Sequence, residues 1–230
     1  MAGGEETREQ PVRIAAGLVP LTGYLAVPAG ARGSVLLVRG SGSSQLRRSR
    51  CAVARAVRAA GFATLRIDLL SWEEAAVDAR TGHLRFDTGL LAERLVAVTD
   101  WLVQQPTTRG LQVGYFSVST SGAAALAAAA ARPAAVGSLV AYNGRPDLAG
   151  PVLPLVRIPT LFIVAGADLS AVSLHRRALR ELGAVQKQLV TLAEAVALWE
   201  EEAGIFAAVA RLAADWFRRH LSRVGAVHTV

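Results

Sequence analysis

The chain has 230 residues, which suits one α/β domain with a substantial core. Just over half the residues, 52%, are apolar, and the charged fraction, 19%, is lower than usual for a soluble domain. The net charge of +7 rests almost wholly on arginine, since Lys187 is the only lysine; this follows an arginine- and alanine-rich composition, and no nucleic-acid partner is expected. In chain order, residues 12–16 and 21–27 read as two short strands around Gly17 and Pro20, an antiparallel edge hairpin. Residues 34–38 form a buried strand that ends in the small-residue loop Arg39-Gly40-Ser41-Gly42-Ser43-Ser44. A helix over 46–60 stops at Gly61, and a strand over 62–67 ends at Asp68. Residues 69–86 are expected as a less regular excursion carrying Trp72, His83 and Arg85. Leu90, Leu91, Leu95, Val98, Trp101 and Leu102 share one face of a helix over 86–105.

A strand over 111–116, a tight turn over 117–121 and an alanine-rich helix over 122–131 follow. Next come a strand over 136–142, a loop over 143–158, a strand over 160–164 and a helix over 170–182. A last strand over 186–191 and an amphipathic helix over 205–221 close the sequence. Alternating strands and helices imply about eight strands in a mostly parallel sheet, helices on both faces and no separate lid domain. Residues 1–11 are expected to be disordered, 12–222 to form the domain and 223–230 to be a flexible tail. Arg47, Arg48, Arg50, Arg55 and Arg58 read as a solvated helix face, with a phosphate-binding face as the alternative. The single cysteine, Cys51, excludes an internal disulfide and a cysteine-based zinc site. No metal and no cofactor is expected. The polar start lacks an apolar leader, and the longest apolar run, 122–131, falls far short of the ~20 residues of a membrane span. A cytoplasmic protein with no membrane contact is the expectation.

In open α/β sheets the ligand crevice lies at the carboxyl ends of the strands. Three strands end there in turns that can carry chemistry. Tyr115-Phe116-Ser117-Val118-Ser119-Thr120-Ser121-Gly122 has the strand, sharp turn and small-residue helix of a nucleophile elbow. Ser119 stands at the turn, and the next backbone N–H, that of Thr120, faces an oxyanion. Such serine-rich turns are also common without chemistry. Asp168, in Ala165-Gly166-Ala167-Asp168, follows a strand after the serine, where a triad acid belongs; it can equally cap the next helix. The loop from Arg39 through Ser41 is placed to supply the second oxyanion donor. Arg39 reads either as an anion clamp or as the partner of Asp68. Trp72 and Trp199 are further candidate neighbours of the crevice, with ordinary packing as the alternative.

These elements, with Asp78-Ala79-Arg80-Thr81-Gly82, Arg85-Phe86-Asp87, Gly144-Arg145-Pro146-Asp147 and Ala213-Ala214-Asp215-Trp216-Phe217, resemble the dienelactone hydrolase-like branch of the α/β-hydrolases over roughly residues 12–222. The resemblance implies serine or cysteine attack on small esters and lactones, with Ser119 as nucleophile and Asp168 as acid. Some members are fused to phosphoribosyltransferases, and no such domain is expected here. The departures are specific. Arg39-Gly40 stands where the family has His-Gly, and Ser117 and Ser121 replace the two elbow glycines. The family's histidine position, aligned through Leu198-Trp199-Glu200-Glu201, falls on Ala197. Of the four histidines, His83 is the candidate substitute base, with Glu194 as the carboxylate alternative. His175 is expected at the surface, and His220 and His228 away from the crevice. A serine without a base is a poor nucleophile. The expected function is therefore a hydrolase fold repurposed to bind or transform a small molecule without hydrolysis. The alternatives are a non-catalytic subunit that binds a protein partner or a second copy of itself, and a small ester or lactone hydrolase using His83 or Glu194.

Overall fold

The computed structural model describes residues 7–39, 44–192 and 203–221. Strands β1 (Gln10–Ala16) and β2 (Val19–Ala26) form an antiparallel hairpin closed at Gly17, whose φ of 67° suits glycine. Six parallel strands follow: β3 (Ser34–Arg39), β4 (Ala63–Asp68), β5 (Val113–Val118), β6 (Val136–Tyr142), β7 (Thr160–Ala165) and β8 (Lys187–Leu192). Among the described residues they make one eight-stranded sheet in the order β1-β2-β4-β3-β5-β6-β7-β8, with β2 antiparallel to β4. This is the mostly parallel sheet expected from the sequence. Strands β5 and β7 are buried at every position because helices cover both faces.

Helices α1 (Ser44–Ala59) and α6 (Ala203–His220) cover one face, packing Val53, Val57, Val209 and Phe217 onto Val35, Leu37, Phe116 and Val140. Helices α3 (Thr88–Gln104), α4 (Ser121–Ala131) and α5 (Leu169–Glu181) cover the other. On α3, Leu91, Leu95, Val98 and Leu102 are fully buried at helical spacing, while Leu90 and Trp101 flank the stripe half-buried. Helix α4 is buried nearly all round, so its alanines serve close approach rather than amphipathicity. A Cβ on Gly122 would stand 3.2 Å from Gly144 Cα, which brings the start of α4 against the turn after β6. The end of α6 crosses the amino ends of the strands, where Phe217 and Leu221 fill the space left by Gly114 and Leu221 also that left by Gly33. His220 is therefore remote from the carboxyl ends of the sheet.

Four expectations shift. Residues 72–81 of the supposed irregular excursion form helix α2 (Trp72–Thr81), followed by a 3-10 turn at Leu84–Phe86. The cause is a capping box: Ser71 Oγ accepts from Glu74 N–H while Glu74 accepts from Ser71 N–H, and Arg94 grips both Glu74 oxygens. The loop over 143–158 contains a 3-10 segment, Pro146–Leu155, kinked at Gly150. Strand β5 runs through Ser117 and Val118, so the turn is tighter than expected. Strand β1 begins at Gln10, inside the segment expected to be disordered, because Glu9 is ion-paired to Arg58 and Arg66. Arg58 thus turns inward from the presumed solvated arginine face. The expected tail and the side chains of Arg47, Arg48 and Arg50 lie outside the described residues. No helix among the described residues is long and apolar enough to cross a membrane.

Candidate active site

The turn between β5 and α4 must redirect the chain from strand to helix within two residues. Ser119 takes the conformational load: its φ is 59°, a left-handed backbone that residues other than glycine rarely adopt. Its N–H donates to Tyr142 O at 3.2 Å, and its carbonyl accepts from Gly122 N–H at 3.0 Å. Thr120 follows, buried and already helical with φ −60°, its carbonyl accepting from Ala123 N–H at 3.3 Å. Ser121, in place of a glycine, is fully buried. Its Oγ accepts from Val118 N–H at 3.2 Å and donates to Val118 O at 2.8 Å. Ser117, in place of the other glycine, is also fully buried, yet its Oγ has no hydrogen-bond partner among the described residues. Ser119 is half-exposed, so its hydroxyl is reachable.

Asp168 lies beyond the end of β7 and is exposed. Its Oδ1 accepts from Ala171 N–H at 2.9 Å, which makes it the N-cap of α5; nothing in that bond prevents its other oxygen from serving a base. Arg39 and Asp68 end the paired strands β3 and β4 in register. Arg39 Nε and Nη2 grip both Asp68 oxygens at 3.0 and 2.5 Å, so the ion pair expected as one alternative is formed. Trp72 is 81% exposed at the first turn of α2. Ser41, Glu194, Ala197 and Trp199 lie outside the described residues. No group of three or more potential metal ligands assembles among the described residues.

The histidines among the described residues are engaged away from Ser119. His83 is exposed, with Nδ1 2.7 Å from Thr81 Oγ1. His175 corrects the surface position expected for it: it is buried at 1% exposure, edge-on to Phe162. It faces the sheet because it falls on the same side of α5 as Val172 and Ala178. Its Nδ1 lies 2.7 Å from Ala171 O. A carbonyl only accepts, so Nδ1 carries the proton and Nε2 is bare, buried and without a partner among the described residues. Burial pushes its pKa below the usual histidine value, only partly opposed by the Ala171 hydrogen bond and by Asp147 and Asp168. His220 stacks on Trp216, 4.2 Å between ring centroids, at the opposite end of the sheet.

Asn143, expected only as the start of a loop, is the other non-glycine residue with positive φ, 43°, among the described residues. Its N–H donates to Ile163 O, and its Oδ1 accepts from Ala165 N–H at 2.7 Å. The Asn-Gly pair directly after a strand was a legible turn signal.

The chain is 49% identical to the dienelactone hydrolase of Anabaena variabilis ATCC 29413, whose crystal structure superposes with a TM-score of 0.89 over 94% of this chain and 100% of that one. The chain belongs to the dienelactone hydrolase-like family of α/β-hydrolases. It is also 44% identical, over 218 residues and 95% of its length, to two Mycobacterium tuberculosis proteins (strains H37Rv and CDC 1551) provisionally named phosphoribosyl transferases; it spans about half of their length, 48%. The fold is shared with a dienelactone hydrolase-like promiscuous phosphotriesterase from metagenomic libraries, at 19% identity and a TM-score of 0.73 over 94% of this chain and 100% of that one. No family model matches the chain.

The two serines that replace the elbow glycines differ in what they bond, and so in what they contribute. Ser121→Ala removes a buried hydroxyl that bonds both polar groups of Val118, a loss of about 0.5–1.5 kcal/mol. It should lower the melting temperature by several degrees, whereas Ser117→Ala removes an unpartnered hydroxyl and should leave it unchanged or raised. Calorimetry of the two variants checks this, and equal losses in both would contradict the assignment.

Proposed function

We propose that this dienelactone hydrolase-like protein binds a small carboxylate or lactone at the Ser119 crevice, that its triad is altered at Ala197, and that its chemistry is not ordinary serine hydrolysis. The supporting observation is a kept elbow while the histidines among the described residues are engaged with other groups. Ser119 holds φ 59°, while His83, His175 and His220 are engaged with Thr81, Ala171 and Trp216. The stretch 193–202, which follows β8 where the family places its base, contains no histidine. Without an imidazole in reach, a serine hydroxyl is a poor nucleophile. Donors at an elbow still polarise a carbonyl, and elimination, cyclisation or rearrangement of a bound ligand needs no acyl-enzyme. Losing a triad member costs up to about a million-fold in kcat, while the remaining site keeps roughly a thousand-fold over water.

Turnover of p-nitrophenyl acetate tests this. The wild type should show no burst and change less than about tenfold in kcat/KM on Ser119→Ala, whereas Ala197→His should raise kcat/KM by a hundredfold or more. A stoichiometric burst in the wild type that vanishes in Ser119→Ala, and that His83→Ala or Glu194→Ala abolishes, would establish a substitute base instead.

A second reading is favoured by the length of the mycobacterial relatives, in which this domain makes up 48% of a longer chain. The protein then acts as a subunit beside a phosphoribosyl transferase. Co-elution with a phosphoribosyl transferase encoded beside it supports this, and independent elution of the two at micromolar concentration contradicts it.

A further inference from the structure

We infer that Asn143 offers its Nδ2 amide as a hydrogen-bond donor to an oxygen of the ligand held at Ser119; this rests on the carboxylate- or lactone-binding crevice proposed above. Val118 pairs with Tyr142, and Tyr142 with Ile163. Ser119 and Asn143 are the first residues beyond those paired strand ends, and the turns meet: a Cβ on Gly144, next to Asn143, would stand 3.8 Å from Ser119 O. Asn143 thus lies between the elbow serine and the strand that leads to Asp168. The orientation of its amide is settled by chemistry: Ala165 N–H can only donate, so the atom 2.7 Å from it is Oδ1 and the NH2 group is turned away.

That NH2 carries two donors and has no acceptor among the described residues, and the side chain is half-buried. The backbone is held at φ 43°, where glycine would fit with less strain. The bond to Ala165 accounts for Oδ1 and leaves the donor side without a task inside the fold. A neutral donor pair on the turn next to the elbow suits a carbonyl, carboxylate or developing oxyanion rather than a cation.

Asn143→Asp separates the two roles of the side chain. Aspartate keeps an acceptor for Ala165 N–H and tolerates the left-handed backbone, but replaces the donor by an oxygen. The probes are benzoate, an anion, and phthalide, a neutral lactone, titrated calorimetrically, with melting temperature measured in parallel. Asn143→Asp should bind both at least about tenfold more weakly than wild type, with little change in melting temperature. Undiminished binding of both probes overturns the donor and leaves the crevice standing. Weakening of benzoate alone is charge repulsion and also overturns it. If Asn143→Asp melts early, Asn143→Gly decides, since glycine accepts the backbone: a tenfold loss supports the donor and wild-type binding overturns it. Wild-type protein that binds neither probe overturns the crevice and the donor together.

Discussion

The left-handed backbone of Ser119 is the constraint on which the rest of the carboxyl end of the sheet depends. Holding a non-glycine residue at φ 59° costs on the order of 1–3 kcal/mol. The conformation persists because its surroundings over-determine it. Ser119 N–H extends the β5–β6 ladder by one bond to Tyr142. Ser121 Oγ ties down both polar groups of Val118. The start of α4 is pressed against Gly144, so that a Cβ on Gly122 would stand 3.2 Å from Gly144 Cα. The alanines of α4 follow from the same requirement, since a bulkier helix could not lie that close to β6 and the 3-10 segment after it. A hydroxyl is thereby lifted half into solvent at the end of the sheet where the turns after β4, β6 and β7 also lie.

What the elbow is for depends on proton transfer. An activated serine needs a base within hydrogen-bond reach, and each histidine among the described residues is engaged elsewhere for a stated reason. His175 is the instructive one. It shares a helix with Asp168, and its free nitrogen is bare, but that nitrogen is buried without a partner, and burial favours the uncharged ring. Its environment opposes the imidazolium that a general base must become. The Arg39–Asp68 pair fixes the ends of β3 and β4 to one another and engages the Nε–Nη2 fork of the guanidinium.

The layered fold was legible because strand and helix periods alternate cleanly, and because long apolar faces such as Leu91, Leu95, Val98 and Leu102 admit one orientation. Ser119 was legible as the residue between a strand and a small-residue helix, and Asp168 from its place after β7. The misreadings have local causes. Helix α2 was missed because its signal is the capping box of Ser71 and Glu74 rather than an apolar stripe, and its anchor, Arg94, lies 20 residues away. His175 was placed at the surface because histidine is polar, whereas its position on α5 is decided by the neighbours Val172 and Ala178. The bond from Ala165 N–H to Asn143 depends on the register of β6 against β7, which no local pattern carries.

The central claim is that the Ser119 hydroxyl lacks a proton acceptor, and the rate at which a fluorophosphonate modifies it is the most direct measure. The expected result is slow, sub-stoichiometric labelling at Ser119, with no inflection in rate between pH 5 and 8. Rapid one-to-one labelling of Ser119 with a sigmoidal pH profile centred near the histidine range, at ~6.5, would contradict it.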